Sequence, residues 1–353
     1  MTDNQHEAEK TLISVSRALI LLTVLFIVVA SVFIGLLFDF GSGPQSDTRV
    51  TTAPAPVSEP AMSAPAPPTV QKEPESSLWI APDESKLPEG SEREVILYGR
   101  DLIAHTSKYL GPRGKVATIS NGMNCQNCHL DAGTKPWGNN YSAVYSTYPK
   151  FRARSGTNET IVKRINDCFE RSLNGKPLDS TSNEMKAMIA YMKWLGTGIE
   201  KGKKPAGVGL QKLAYLPRAA DPKKGAVVYT ANCASCHGNT GEGLPNGDQS
   251  EFIYPPLWGK NSYNDGAGLY RISNFASYVK NNMPLGATHE NPQLSDEESW
   301  DVAAYVNSQT RPHKDQSKDW KDISKKPIDF PFGPYADKFS EKQHKFGPFE
   351  PIL

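Results

Sequence analysis

Two copies of the pattern Cys-x-x-Cys-His constrain this 353-residue chain more than any other feature of its sequence. The pattern is typical of covalent haem attachment, because two cysteines form thioethers to the porphyrin and the adjacent histidine becomes an axial ligand of the iron. A zinc knuckle or a redox cysteine pair are the alternatives, but zinc would require further ligands at short spacing. The sequence therefore predicts two covalently bound haem c groups. The residues that would bind them are Cys125, Cys128 and His129 in the first motif and Cys233, Cys236 and His237 in the second.

The composition excludes one class of function and indicates domains with little regular structure. The net charge is +1, so nothing in the charge balance favours binding to nucleic acid. With 28 glycines and 28 prolines, the chain is expected to form short helices joined by long loops, and each haem would supply part of its domain's core. Four of the five cysteines belong to the two motifs, which leaves Cys168 without an assigned role.

An apolar segment near the N-terminus, Ala18–Phe38, contains no charged residue and is long enough to span a bilayer as a helix. No small-residue cleavage site follows it, which favours an uncleaved anchor over a secretory signal peptide. Lys10 and Arg17 precede the segment and Asp39 follows it, so the N-terminus is expected to be cytoplasmic. The sequence therefore predicts a single-pass anchor in the cell inner membrane, with the remaining chain in the periplasm.

Beyond this segment the chain twice repeats one order of elements: a helix, a haem motif, loops and a closing helix. Capping boxes at Thr181–Glu184 and Ser295–Glu298 are predicted to open the two closing helices. In each domain the first and last helices should pack against each other. The predicted fold class is mainly α, with two cytochrome c-type domains in tandem behind a transmembrane helix and a Pro/Ala-rich tether. The predicted ranges are 1–40 for the cytoplasmic stub and anchor, 41–77 for the tether, 78–200 for the first domain, 201–217 for a connector, 218–312 for the second domain and 313–353 for a C-terminal segment wrapped over the domains.

The second axial ligand of each iron decides between electron transfer and chemistry. For the second haem the candidate is Met283, which precedes a proline in the loop before the closing helix; the alternative is a packing methionine. In the first domain Met185, Met188 and Met192 recur at helical spacing and are predicted to be core residues. For Cys168 three interpretations stay open: an iron ligand, a buried free thiol, or one half of an intermolecular disulfide. As a ligand, its thiolate would lower the iron potential and bring a sulfur nucleophile to a redox centre.

The segment around Cys168 is strongly basic. Residues 147–176 contain seven Lys and Arg against three Asp and Glu, a net charge of +4. Arg152 and Arg154, which lie close together in a loop rich in Tyr and Gly, would suit the binding of a small oxyanion. The alternative is a solvated surface, which is the commoner use of such charges.

Several short segments, taken together, resemble the dihaem thiosulfate dehydrogenases, or tetrathionate-forming cytochromes. The resemblance extends from about Tyr98 to the C-terminus. It implies oxidation of two thiosulfates to tetrathionate with release of two electrons, and some members of the family favour the reverse reaction. It also implies His129 and Cys168 as ligands of the catalytic haem, and His237 and Met283 as ligands of the second haem. The catalytic basic residue would be Arg154, and a nearby hydroxyl group would be that of Ser172. The matching segments are NCQNCHLDAG, YPKFRARSG, INDCFERSLNGKPL, CASCHG, NNMPLG, PFGPYADKF and QHKFGPF.

The chain departs from the family pattern in two respects. Some relatives carry a lysine immediately before the methionine and exchange ligands with redox state, whereas this chain has Asn282, so no lysine switch is expected there. Many relatives are soluble, whereas this chain has a predicted anchor and tether. Electron exchange with a membrane or periplasmic partner, such as a cytochrome c or a terminal oxidase, is therefore expected.

The resulting hypothesis is a membrane-tethered thiosulfate dehydrogenase. Thiosulfate would dock against Arg152 and Arg154, Cys168 would bond its outer sulfur, and a second thiosulfate would attack that adduct to release tetrathionate. One rival is an anchored dihaem electron carrier without substrate chemistry. Another rival keeps the enzyme class and replaces the substrate by sulfite or a protein-bound persulfide, since either would suit a cationic pocket with a soft sulfur. The direction of the reaction depends on contacts that spacing does not reveal.

Overall fold

The computed structural model describes residues 78–353 and, in the part before them, Thr23 alone. The predicted anchor at 1–40 and the tether at 41–77 therefore lie outside the described residues. Within the described part of the chain, no helix is both long and apolar enough to cross a membrane.

The described chain is mainly helical. The six longer helices are α1 (Ser91–Ala104), α2 (Ile161–Arg171), α3 (Asn183–Leu195), α4 (Pro222–Asn232), α5 (Ile272–Asn282) and α6 (Asp296–Ser308). Shorter helices are Thr106–Leu110, Leu130–Gly133, Val144–Thr147, Ala234–His237 and Glu341–Phe346, and 3-10 turns are Glu84–Lys86, Cys125–Asn127, Gly268–Tyr270, Ile323–Lys325 and Glu350–Ile352. Two small antiparallel hairpins are β1 (Lys150–Arg152) with β2 (Thr157–Glu159), and β3 (Leu244–Pro245) with β4 (Phe252–Tyr254).

Side-chain caps explain where the two closing helices begin. Ser295 and Glu298 form the predicted capping box of α6, each satisfying a backbone N–H of the other. The prediction for α3 was wrong by one residue. Its cap is Ser182, whose hydroxyl accepts from the N–H of Met185, whereas the hydroxyl of Thr181 donates to Asp179. Adjacent hydroxyl residues offer two possible caps, and only the backbone geometry decides between them.

The first and last helices of each domain pack against each other, as the sequence predicted, and the structure shows that they cross at a glycine. A Cβ atom added at Gly99 in α1 would lie 2.0 Å from the carbonyl oxygen of Ala187 in α3. A Cβ added at Gly225 in α4 would lie 1.9 Å from the carbonyl oxygen of Asp301 in α6. Only glycine permits such close approach of two backbones, so the same packing solution occurs in both domains.

Replacing Gly99 with alanine is expected to lower the free energy of unfolding by about 1–3 kcal/mol, because the new methyl group meets a backbone that cannot rotate away. Gly247→Ala is the matched control, since a Cβ there meets nothing within 4 Å. Chemical denaturation of the holoprotein, followed by circular dichroism, measures the difference. Equal stability of the two variants would contradict this account of the crossing.

The two domains have separate hydrophobic cores, which accounts for the division of the fold into tandem units. The first core contains the three methionines of α3, and the second is built around Trp300 and Tyr229. Met185, Met188 and Met192 are all buried, as predicted from their helical spacing.

The C-terminal segment contacts both domains. The backbone N–H of Trp320 donates to the carbonyl oxygen of Arg154 in the first domain, at 2.7 Å. Phe349 is buried in the second core, where its ring packs against Tyr215 and Trp300. The connector also contacts the first domain, because the N–H of Asn139 in that domain donates to the carbonyl oxygen of Gly209 at 2.9 Å. These contacts bring sequence-distant segments to the cavity described below.

Candidate active site

Helix α2 carries Cys168 toward the first haem motif. The helix begins after Thr160, whose hydroxyl accepts from the N–H of Lys163. Cys168 and His129 both line a cavity of about 150 Å³, and its walls include apolar residues of helices α1 and α3. Cys168 is therefore placed in the same cavity as the motif histidine, as an axial pair would require. The apolar part of the lining includes Ile103, Ile165, Phe169, Leu173, Met188 and Met192.

His129 is held in one orientation. Its Nδ1 atom lies 2.6 Å from the carbonyl oxygen of Asn139, which can only accept, so Nδ1 carries the proton and Nε2 has a free lone pair. Its ring stacks on Tyr141 with centroids 4.5 Å apart. Burial lowers the pKa of His129 to about 4, against the opposing effect of the Asn139 carbonyl. A neutral imidazole with a fixed tautomer is the form that ligates iron.

The second motif has an equivalent arrangement. His237 and Met283 line one cavity of about 310 Å³ together with both motif cysteines. The Nδ1 atom of His237 donates to the carbonyl oxygen of Pro255 at 2.8 Å, and burial lowers the pKa of this histidine. The second cavity therefore offers two cysteines, a neutral histidine and a thioether in an apolar setting. Beside the first cavity, a smaller one is lined by Cys125, Cys128, His129 and Cys168 together. Both donor sets fit haem c. Asn282 is turned toward the first domain, where its Nδ2 donates to the carbonyl oxygen of Trp137 at 3.2 Å.

The first haem motif contributes to the wall of the second haem cavity. Cys128 of the first motif also lines the cavity of the second motif. The hydroxyl of Tyr278, on α5 of the second domain, donates to the carbonyl oxygen of Asn127 at 2.8 Å. Contact at this wall fixes the separation of the two sites, which suits electron exchange between them.

A third cavity, of about 370 Å³, adjoins the first motif and is strongly cationic. The structure brings together in its wall all four residues that the sequence singled out for catalysis: Arg152, Arg154, Cys168 and Ser172. These residues come from the β1 strand, the turn after it and the C-terminal end of α2. The full set of cationic side chains in the wall is Arg152, Arg154, Arg164, Arg171, Lys212 and Arg271.

Carboxylates neutralise part of this charge and fix the arginines. Arg154 Nη2 donates to Asp167 at 2.9 Å, and Lys163 Nζ donates to the other oxygen of Asp167 at 2.5 Å. Burial would raise the pKa of Asp167, but Lys163 and Arg154 outweigh that effect and lower it. Arg152 is held more loosely, 3.9 Å from the buried carboxylate of Glu159. Arg152 is therefore more free than Arg154 to turn toward an anion.

Arg164 is a further site residue, which the sequence indicated only as one of several basic residues near Cys168. It lies one helical turn before Cys168, so the two side chains share a face of α2. The negative charge of the Cys168 thiolate is the largest influence on Arg164 and raises the pKa of its guanidinium. The spacing of four residues, one helical turn, was the available signal, but no helix was predicted in this segment. Lys212, Arg271 and Trp320 gave no such signal, because they reach the cavity from the connector, the second domain and the C-terminal segment.

Comparison with known proteins agrees with this architecture. A family model described as SoxA/TsdA, cytochrome c domain, matches residues 115–200. A family model described as cytochrome c matches residues 222–310. The fold and the two matches define a protein with two cytochrome c domains in tandem, and such domains bind covalently attached haem c.

Curated relatives show to which family of dihaem cytochromes the chain belongs. The chain is 39% identical over 242 residues to a thiosulfate dehydrogenase of Psychrobacter arcticus, covering 68% of this chain and 70% of that protein. It is 38% identical over 245 residues to a thiosulfate dehydrogenase of Allochromatium vinosum, covering 68% of this chain and 87% of that protein. The chain belongs to the thiosulfate dehydrogenase family.

A solved structure gives the same result for the fold. The thiosulfate dehydrogenase TsdBA of Marichromatium purpuratum, in its as-isolated form, matches with a TM-score of 0.62 and 33% sequence identity. The match covers 68% of this chain and 50% of that longer chain. The tandem arrangement described above is therefore shared with a solved member of the family.

Proposed function

We propose that this protein oxidises two thiosulfates to one tetrathionate and releases two electrons through two haem c groups. The observation that carries the proposal is the cationic cavity, in which Cys168 meets Arg152, Arg154 and Arg164 beside the first haem motif. Thiosulfate is a small dianion with a soft outer sulfur, so it suits both the charge of this cavity and its thiol. The names of the curated relatives support the same reaction.

The arginines bind the substrate and aim it. Arg152 and Arg154 donate to the sulfonate oxygens of thiosulfate, and its outer sulfur is left facing Cys168. Arg164 stabilises the Cys168 thiolate from the same helical face. Ser172, one turn after Cys168, adds a hydroxyl to the cavity wall.

Cys168 supplies the sulfur on which the two substrates are joined. Its thiolate and the outer sulfur of the first thiosulfate form a disulfide bond, and this step releases two electrons. The outer sulfur of the second thiosulfate then attacks its counterpart in the adduct, so the new sulfur–sulfur bond forms while the bond to Cys168 breaks. Tetrathionate leaves and the thiolate is restored. Each haem, when bound, would supply a one-electron acceptor; His129 and Cys168 would hold the first haem, and His237 and Met283 would hold the second.

The alternative of a pure electron carrier explains less. A carrier has no use for six cationic side chains around a cavity that also contains a thiol. Sulfite or a persulfide would be attracted by the same groups, and a turnover assay separates these substrates from thiosulfate.

Met283 is expected to set the potential of the second haem. The variant Met283→His should lower that potential by on the order of a few tenths of a volt, because a thioether ligand favours the ferrous iron more than imidazole does. A redox titration of the holoprotein measures both haems, and the first haem serves as the internal control. An unchanged potential at the second haem would show that Met283 is a packing residue.

The location of the protein is a further part of the proposal. The uncharged segment Ala18–Phe38 would anchor the chain in the cell inner membrane, and the Pro/Ala-rich tether at 41–77 would hold the haem domains in the periplasm. The electrons would then pass to a membrane or periplasmic partner, such as a cytochrome c or a terminal oxidase. Fractionation of cells with an antibody to the haem domains tests this, and recovery in the soluble periplasmic fraction would contradict the anchor.

A turnover assay tests the proposed reaction. Purified holoprotein is mixed with thiosulfate and an artificial electron acceptor, and tetrathionate and reduced acceptor are quantified. The expected result is two thiosulfates consumed for each tetrathionate and each pair of electrons. The same assay with tetrathionate and an electron donor gives the favoured direction. No turnover in either direction, with both haems intact, would favour the electron carrier.

A further inference from the structure

The cationic cavity has a second group of polar residues that the reaction scheme above does not use. Lys212 comes from the connector, Arg271 and Asn274 from the start of α5, and Trp320 from the C-terminal segment. None of them belongs to the domain that carries Cys168. The cavity is therefore lined by two sets of residues, one from the first domain and one from the remaining segments, and each set contains positive charge.

The positive charge of Arg271 is paired with the carboxylate of Asp329. Arg271 donates from two nitrogens to one oxygen of Asp329, and the other oxygen of Asp329 accepts from the N–H and the hydroxyl of Ser273, at 3.2 and 2.5 Å. Asp329 is thus fully engaged as the partner of Arg271 and leaves the neighbouring cation without a carboxylate of its own.

Lys212 is that neighbouring cation. Its Nζ atom bonds to the side chain of Asn274, which is neutral. Partial burial lowers the pKa of Lys212 and the positive charge of Arg271 lowers it further, while the charge of Asp329, which makes no ion pair with Lys212, only partly opposes them. The side chain is nonetheless accessible from the cavity. An anion at this position would relieve the repulsion between the two cations.

Trp320 offers a hydrogen-bond donor in the same wall. Its indole Nε1 atom is buried and donates to no acceptor within the described part of the chain. The residue is held in a left-handed conformation, φ 58°, which is unfavourable for a tryptophan. Its backbone N–H donates to Arg154 and its ring packs on Phe330 at 5.2 Å. A strained conformation kept by contacts on both sides, with an unused buried donor, is typical of a ligand-binding position.

We propose that Lys212 and the indole N–H of Trp320 bind the sulfonate of the second thiosulfate. This inference rests on the proposed function. Two thiosulfate dianions must approach each other through their outer sulfurs, so the sulfonate of each one needs cations of its own. The first sulfonate has Arg152 and Arg154. The second substrate, held by residues of the connector and the C-terminal segment, presents its outer sulfur to the Cys168 adduct. That sulfur forms the new sulfur–sulfur bond as the thiolate of Cys168 departs.

The test is the variant Lys212→Gln, with Trp320→Phe as a second variant that keeps the ring packing and removes the N–H. Lys223→Gln, on the exposed surface of α4, is the matched control. Steady-state turnover is expected to need about 10- to 100-fold more thiosulfate for half-saturation in Lys212→Gln, and about 5- to 20-fold more in Trp320→Phe. Lys212→Arg should recover most of the loss.

Pre-steady-state mixing separates the two substrates. When oxidised holoprotein meets thiosulfate, haem reduction should keep its wild-type rate in Lys212→Gln, since it reports the first thiosulfate, whereas tetrathionate release should be slowed. Equal slowing of both would place the first thiosulfate at Lys212 and overturn the inference. An unchanged concentration dependence, with a shifted midpoint potential of the first haem, would show that Lys212 binds a haem carboxylate instead. Wild-type protein without thiosulfate turnover would refute the proposed function itself.

Discussion

Replacing Cys168 with serine is expected to reduce thiosulfate turnover by at least about 10³-fold, the usual scale for loss of a covalent catalyst. Serine has nearly the same shape, and the backbone bonds that end α2, including the N–H of Ser172 to the carbonyl of residue 168 at 2.8 Å, do not involve the side chain. The fold and the attachment of both haems should therefore survive. Only the sulfur that forms the bond to substrate would be missing.

The controls for this variant lie within the same molecule. Haem content and the potential of the second haem should match the wild type, because Cys168 lines the first haem cavity and not the second. Initial rates with a saturating artificial acceptor give the loss directly. Full turnover in Cys168→Ser would contradict the role assigned to this sulfur and leave the arginines as a simple anion site.

Replacing Arg164 with glutamine should give the second largest loss, about 10²-fold in kcat/KM, because it removes the cation that faces the thiolate in a partly desolvated cavity. Arg164→Lys should recover part of the activity, since it restores the charge without the geometry of the guanidinium.

Arg113→Gln serves as the matched control, since Arg113 is exposed in a loop of the same domain. Steady-state rates and circular dichroism of the three variants separate catalysis from folding. Activity of Arg164→Gln within about threefold of the control would show that Arg164 is a structural cation and that the thiolate is stabilised by other groups.

The haem motifs and the tandem arrangement were predictable because each is a local signal. A Cys-x-x-Cys-His pattern needs no partner elsewhere in the chain, and the capping box at Ser295 and Glu298 is read within four residues. The burial of the three methionines of α3 likewise follows from their helical spacing alone. Where two local signals compete, as at Thr181 and Ser182, the sequence misplaces the boundary by one residue.

The cavity was predictable only on the side that lies close to Cys168 in the sequence. Arg152 and Arg154 could be proposed from the basic segment around Cys168, and Ser172 from the resemblance of that segment to the family. Lys212 and Trp320 could not be, because their position depends on how the connector and the C-terminal segment cross the first domain. Such contacts are set by tertiary packing, which neither periodicity nor composition encodes.

The most direct test of the central claim is the low-spin electron paramagnetic resonance spectrum of the oxidised holoprotein, recorded for the wild type and for Cys168→Ser. The account predicts a thiolate-ligated signal from the first haem and a His/Met signal from the second, with the thiolate signal lost in the variant. Two His/Met haems, with a spectrum unchanged by the substitution, would show that Cys168 stands away from the iron and would contradict the catalytic site proposed for this cavity.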